Sequence, residues 1–286
     1  MSALSTDASQ WFTEFNEATG TAFSLKLGEK VHSEQSEFQK IEVYKTESFG
    51  YLMVIDDCTM VSTRDNFLYH EMISHPALNA HPAPKRVAII GGGDCGTLRE
   101  VLKHQEVEAA TQIDIDERVT RVAEKFFPEL CDSNADPRAT LLFDDGVAWI
   151  RNAAPGSLDL IIVDSTDPVG PAEGLFGAAF YRDCVKALAA DGMLVQQSES
   201  PLLHAELIAD MHQHMRAAGF ADTHLLHFPQ PIYPSGWWSA SIACMSDQPL
   251  AQRLEAADQL DTLYYSAQMH SAAFAVPPYL QKKIRP

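Results

Sequence analysis

A chain of 286 residues with 46% hydrophobic content is long enough for one main core and a smaller appended unit. Its 21 basic against 39 acidic residues, a formal charge of -18, argue against general attraction to nucleic acid or to an anionic membrane. A small cationic ligand suits that balance, and so does plain surface solvation.

The opening stretch, Met1 to Gln10, is polar and lacks the basic and apolar regions of a targeting segment. No run approaches the ~18 apolar residues of a membrane span. Cys58, Cys95, Cys131, Cys184 and Cys244 form no C-x-x-C pair or His-flanked cluster. Free thiols, a cytoplasmic location, no metal and no membrane partner are therefore expected.

From Phe23 to Ser62 short extended segments recur, with alternation in Lys40-Ile41-Glu42-Val43-Tyr44 and turns at Phe49-Gly50 and Asp56-Asp57. They predict a small antiparallel domain of hairpins. The spacing of Phe67, Tyr69, Met72 and Ile73 predicts a helix from Asp65 to His75, with Asp65 as N-cap, before Pro82 and Pro84 interrupt the chain. The division is placed at Asp65, giving a β-hairpin domain over 1–65 and a second domain over 66–286.

After Lys85 the pattern changes. Strands are predicted at Arg86 to Ile90, Ala110 to Ile115, Ala139 to Phe143, Leu158 to Val163 and Gly192 to Gln197, with helices at Thr97 to His104, Glu117 to Phe127 and Ala178 to Ala190. Unbroken apolar runs such as Leu160-Ile161-Ile162-Val163 suit strands covered on both faces. The β-α-β order predicts an α/β fold with a doubly wound, mainly parallel sheet, whose ligand lies beyond the carboxyl ends of the strands.

The first of these strands runs into Gly91-Gly92-Gly93-Asp94-Cys95-Gly96, which satisfies G-x-G-x-x-G. That spacing fits either a tight turn or a dinucleotide site. Asp114, at the end of the next strand, adds an acid placed to grip ribose hydroxyls. Asp94, however, lies where a dinucleotide would put its pyrophosphate, and like charges ~4 Å apart repel by about 4 kcal/mol at an effective dielectric near 20. No Lys or Arg between Gly91 and Leu98 meets a carboxylate, so a nucleoside with a free ammonium suits the loop better. Asp145 and Gly146 follow the third strand, where the acid either accepts from an adenine amino group or caps a helix. Asp164 and Asp167 follow the fourth, where either is also a possible cap or turn residue. Four successive strand ends thus deliver carboxylates to one cleft, whose mutual repulsion a cationic ligand would relieve.

Ser36-Glu37-Phe38-Gln39, Thr63-Arg64-Asp65, Tyr69-His70-Glu71-Met72, the GGGD loop, Asp144-Asp145-Gly146, Asp164 through Pro171, Tyr233-Pro234-Ser235-Gly236, Tyr264-Tyr265 and His270 through Phe274 together resemble the ordered motifs of spermidine synthases. The resemblance covers roughly residues 11 to 286 and implies a Rossmann-like, methyltransferase-type sheet. It implies Asp164 as proton acceptor, Asp167 as diamine ligand, and Asp94 as holder of an aminopropyl ammonium. Tyr69 and His70 would line the polyamine channel and Tyr233 would close over it. Asp114 would take the ribose hydroxyls, Asp145 and Gly146 the adenine side, with Gln39 and Pro171 as further nucleoside contacts. Asp114 departs from the longer Glu of many relatives, Cys95 stands where Gly is common, and the segment before Ala22 matches poorly.

The implied substrates are putrescine and decarboxylated S-adenosylmethionine, the latter a co-substrate, with no metal cofactor and no nucleic-acid partner. A homodimer or homotetramer is expected. Two other readings stay open at this point: a putrescine N-methyltransferase using S-adenosylmethionine, and a polyamine-binding protein without activity.

Overall fold

The computed structural model describes residues 8–166 and 170–284, and the side chains of all of these except 8, 170 and 171. It opens with five antiparallel strands in sequential order: β1 (Trp11–Asn16), β2 (Thr21–Gln35), β3 (Lys40–Thr46), β4 (Tyr51–Ile55) and β5 (Cys58–Ser62). Period-two alternation gives this sheet two apolar faces. Ile41, Val43, Met53 and Ile55 pack on one, with Val119, Val122 and Phe127; Tyr44, Leu52 and Val54 lie on the other, with Phe12, Leu25 and Ile232.

Helix α1 (Asn66–Ala80) follows and runs beyond the expected end at His75. Pro76 removes one ladder hydrogen bond, but Met72, Ile73, Ala77 and Leu78 are fully buried, and that burial holds the helix together. Asp65 stands at the N-cap position without capping; its carboxylate accepts instead from Ser62 Oγ at 2.5 Å.

The rest alternates as β6 (Arg86–Gly91), α2 (Gly96–Leu102), β7 (Ala109–Asp114), α3 (Glu117–Phe126), β8 (Ala139–Phe143), α4 (Gly146–Asn152), β9 (Leu158–Asp164), α5 (Ala178–Ala187) and β10 (Leu188–Gln197). Then come α6 (Ala205–Ala218), β11 (Asp222–Pro229), β12 (Trp237–Cys244), α7 (Leu254–Ala257), α8 (Ala267–Ala273) and α9 (Pro278–Ile284). The second sheet has the order β11-β12-β10-β9-β6-β7-β8, parallel from β10 to β8 and antiparallel where β12 meets β10 and β11. This is the expected doubly wound, mainly parallel sheet, with two added antiparallel strands that the apolar pattern does not reveal. Helix α5 stops at Ala187, not Ala190, because β10 begins at Leu188, with an irregular register before Met193.

Strand order reverses between β6 and β9, from which successive connections run in opposite directions. A crevice opens at such a reversal, outside the carboxyl ends of the two strands. Here Gly91 pairs directly with Asp164.

Candidate active site

Close approach of the β6 and β9 ends depends on glycine. Gly91 has φ 84°, and a Cβ there would sit 2.1 Å from the Asp164 carbonyl oxygen. Gly92 N–H donates to that same oxygen at 2.7 Å. Cys95 also adopts a left-handed backbone, φ 70°, where glycine carries no penalty. Its fully buried side chain is small enough to fold back, with Sγ 3.7 Å from Gly93 O.

Two acidic centres emerge from this framework. Asp94 Oδ1 accepts from Gly96 N–H at 2.8 Å, and Oδ2 pairs with His70 Nε2 at 3.1 Å. Gly96 makes the second contact possible, since a Cβ there would lie 2.2 Å from His70 Cε1. Burial pushes the Asp94 carboxyl upward, but the charge and hydrogen bond of His70 outweigh it and hold the group below the usual carboxylate range. The imidazole of His70 is lowered by burial and raised more strongly by Asp94, for a net upward shift.

Asp164 is the second centre. Tyr69 OH donates to Oδ1 at 2.7 Å and Thr97 Oγ1 to Oδ2 at 2.6 Å. Burial first, then the charge of Asp94, push this carboxyl above its ordinary value, while His70, Thr97 and Tyr69 restrain the rise. A carboxylate shifted upward is a better proton acceptor than one in water, and a general base needs that property.

Beside Asp94 the cavity carries further carboxylates. Asp114 Oδ1 accepts from Asp116 N–H at 2.8 Å, and burial raises its carboxyl to about 6. Gly93 leaves room for it, as a Cβ there would be 2.8 Å from Asp114 Oδ2. Gln39 Nε2 and Ser36 Oγ both donate to Asp116 Oδ2, at 3.0 and 2.6 Å, so Gln39 is anchored through an acid. Asp145 caps α4 by accepting from Val147 and Ala148 N–H, and it also lines the cavity.

The cavity measures about 200 Å³. It brings together Gln39, Tyr69, His70, Asp94, Asp114 and Asp145, and also Gly146, Asp164 and Tyr233. Asp167 lies outside the described residues, as does the side chain of Pro171. Tyr233 packs its ring 5.8 Å from Tyr69 and 4.8 Å from Trp238, and its hydroxyl donates to Met60 O at 2.6 Å, tying this wall to β5. Trp238 lines the cavity, whereas Trp237 meets His227 edge to face.

Sequence reasoning missed Thr97, Asp116, Gln197 and Glu14. Glu14 enters from β1, the segment that matches the motifs poorly, and accepts from Thr59 N–H at 2.8 Å at the cavity wall. Its position after Trp11-Phe12-Thr13 offers no chemical signal; only strand pairing carries it there. Among the described residues no group of three or more His, Cys, Asp or Glu is arranged to hold a metal ion, and no helix is long and apolar enough to cross a membrane.

Comparison with known proteins gives consistent matches. Residues 66–253 match the "Spermine/spermidine synthase domain" and residues 10–62 the "Spermidine synthase tetramerisation domain". The chain is 64% identical over 278 residues to a polyamine aminopropyltransferase of Thioalkalivibrio sulfidiphilus, covering 96% of this chain and 97% of the relative. A polyamine aminopropyltransferase of Methylococcus capsulatus is 63% identical, with 98% of each chain covered. A crystal structure of spermidine synthase with the transition state analogue AdoDATO superposes with a TM-score of 0.91 at 33% identity, over 96% of this chain and 94% of that one. Spermidine synthase from Thermotoga maritima gives 0.89 at 32%, with the same coverage.

Proposed function

We propose that in this chain, which belongs to the spermine/spermidine synthase family, Asp164 is the base that frees the acceptor amine for attack. The chain is a polyamine aminopropyltransferase of the spermidine synthase type. It transfers the aminopropyl group of decarboxylated S-adenosylmethionine to putrescine, giving spermidine and 5′-methylthioadenosine. No match carries the name of a methyltransferase or of an inactive binder among those described above.

A primary amine has a pKa near 10 and holds its proton at neutral pH, so it has no lone pair with which to attack carbon. Asp164 takes that proton. The nitrogen lone pair then forms a bond to the carbon beside the sulfonium, the carbon–sulfur bond breaks, and its electrons leave with sulfur as the neutral thioether. Orientation of the amine against Tyr69 and Asp164 contributes much of the rate. Asp94, held by His70 and Gly96 N–H, receives the ammonium of the aminopropyl group. Asp114 takes the ribose hydroxyls, and Asp145, Gly146, Gln39 and Pro171 surround the base. Tyr233 closes over the diamine, and Asp167 holds it.

One observation carries this reading: the half-buried Asp164 carboxylate, gripped by two hydroxyls, shares the cavity with the Asp94–His70 pair. We divide the chain at Asp65, with 1–65 carrying the assembly sheet and also lending Glu14 and Gln39 to the cavity, and 66–286 carrying the acids of the chemistry. The match over 10–62 supports an oligomer, which we take to be a tetramer formed through the first sheet. Incubation of the protein with putrescine and either decarboxylated or ordinary S-adenosylmethionine, followed by mass spectrometry, tests the function. Spermidine with methylthioadenosine, formed only from the decarboxylated donor, is expected; N-methylputrescine or no product would overturn it.

A further inference from the structure

We infer that Thr97 is a positioning residue for aminopropyl transfer, whose hydroxyl holds the Asp164 carboxylate in the orientation in which it receives the acceptor's proton. The inference rests on Asp164 being the base.

Thr97 is the second residue of α2 and is fully buried. It does not line the cavity, so it acts through Asp164 and not on substrate. Its Oγ1 lies 2.6 Å from Oδ2, while Tyr69 OH, arriving from α1, lies 2.7 Å from Oδ1. A single donor would let the carboxylate rotate about Cβ–Cγ. Two donors on opposite oxygens fix its plane. A carboxylate has about four lone-pair sites, so these two bonds leave capacity for an incoming proton.

The same bond governs when Asp164 is available. From α1 it faces Tyr69 and His70, from the loop before α2 it faces Asp94, and Asp114 acts on it from β7; Tyr233 stands behind Tyr69. Burial and the acids favour the protonated form, and the Thr97 hydroxyl favours the ionised one. Removing that hydroxyl therefore strengthens the base while requiring a higher pH to ionise it. A residue that served packing alone would not move the pH dependence.

Thr97→Val keeps the branched shape and deletes the donor; Thr97→Ser keeps the donor and deletes a methyl. The dependence of kcat on pH is measured for full-length protein with putrescine and decarboxylated S-adenosylmethionine, alongside methylthioadenosine affinity by calorimetry. In Thr97→Val the acidic limb moves up by about one pH unit and the plateau falls by roughly tenfold as the carboxylate loses its fixed plane, while methylthioadenosine affinity is retained. Thr97→Ser returns the limb to its original place. A limb that does not move in Thr97→Val, or a uniform loss at every pH together with lost nucleoside affinity, overturns the inference. Should the valine variant fail to fold, Thr97→Ala is read by the same criteria. Asp164→Asn separates the two claims: lost turnover there with an unmoved Thr97→Val limb rejects Thr97 alone, whereas retained turnover rejects the base itself.

Discussion

Replacing Asp94 with Asn removes one charge from a site that otherwise keeps its shape. An amide can still present oxygen to Gly96 N–H, which lies 2.8 Å from Oδ1, and its nitrogen to His70 Nε2, which lies 3.1 Å from Oδ2. Opposite charges ~4 Å apart attract by about 4 kcal/mol at an effective dielectric near 20. The donor ammonium is hydrated when free, and His70 already shares the Asp94 charge, so about 2 to 3 kcal/mol of this is lost, roughly 30- to 150-fold in affinity. With the donor ammonium at Asp94 as proposed, ordinary S-adenosylmethionine would bring a carboxylate against the same acid, and the variant would relieve that repulsion. Calorimetric titration at low ionic strength should show decarboxylated donor binding weaker by that factor and S-adenosylmethionine unchanged or tighter. Equal losses for both nucleosides would refute the reasoning and reduce Asp94 to a loop-shaping residue.

Asp114→Asn tests the cost of an acid half-buried in the cavity wall. Because its folded value of about 6 lies above the unfolded one of 3.8, the folded protein binds more protons between these values and loses stability as pH rises through them. The ligand-free variant should be more stable by about 1 kcal/mol at pH 7.5, roughly 3 °C in Tm, with no gain at pH 4, after allowance for solvent at this partly exposed group. Equal gains at both pH values in calorimetry would contradict this. In Gly96→Ala the new Cβ displaces a His70 ring that would lie 2.2 Å away, so donor kcat/KM should fall by more than about tenfold. An unaltered His70 titration by NMR would show that the ring had not been displaced. Glu71 accepts from the N–H groups of Leu263, Tyr264 and Tyr265. Glu71→Gln should cost about 2 kcal/mol, roughly 5 °C in Tm, and hasten amide exchange at those three residues; unchanged exchange would count against the contact.

The strand-end carboxylates were legible because β-α-β order fixes where strands stop, and a glycine loop marks the first of those ends. Asp94, Asp114, Asp145 and Asp164 all reach the one cavity for that reason. Thr97 was not legible, because in Thr-Leu-Arg-Glu it reads as an ordinary helix residue and its partner lies 67 residues away. Glu14 escaped similarly, since only the pairing of β1 with β2 and a contact to Thr59 bring it to the wall. Strand β12 lacks apolar alternation because its buried polar positions have partners: Ser241 meets His212 at 3.0 Å and Ser239 meets Ser198 at 3.0 Å. Asp65 shows the opposite error. Its residue type suits an N-cap, but Ser62 takes the carboxylate first.

Single-turnover kinetics of Asp164→Asn, with both substrates bound and spermidine quantified by mass, test the central claim most directly. Loss of a general base predicts a fall of about 10² to 10⁴ in the transfer rate with donor affinity retained. Transfer within about threefold of the unaltered protein would contradict the account, because the amine would then be losing its proton elsewhere.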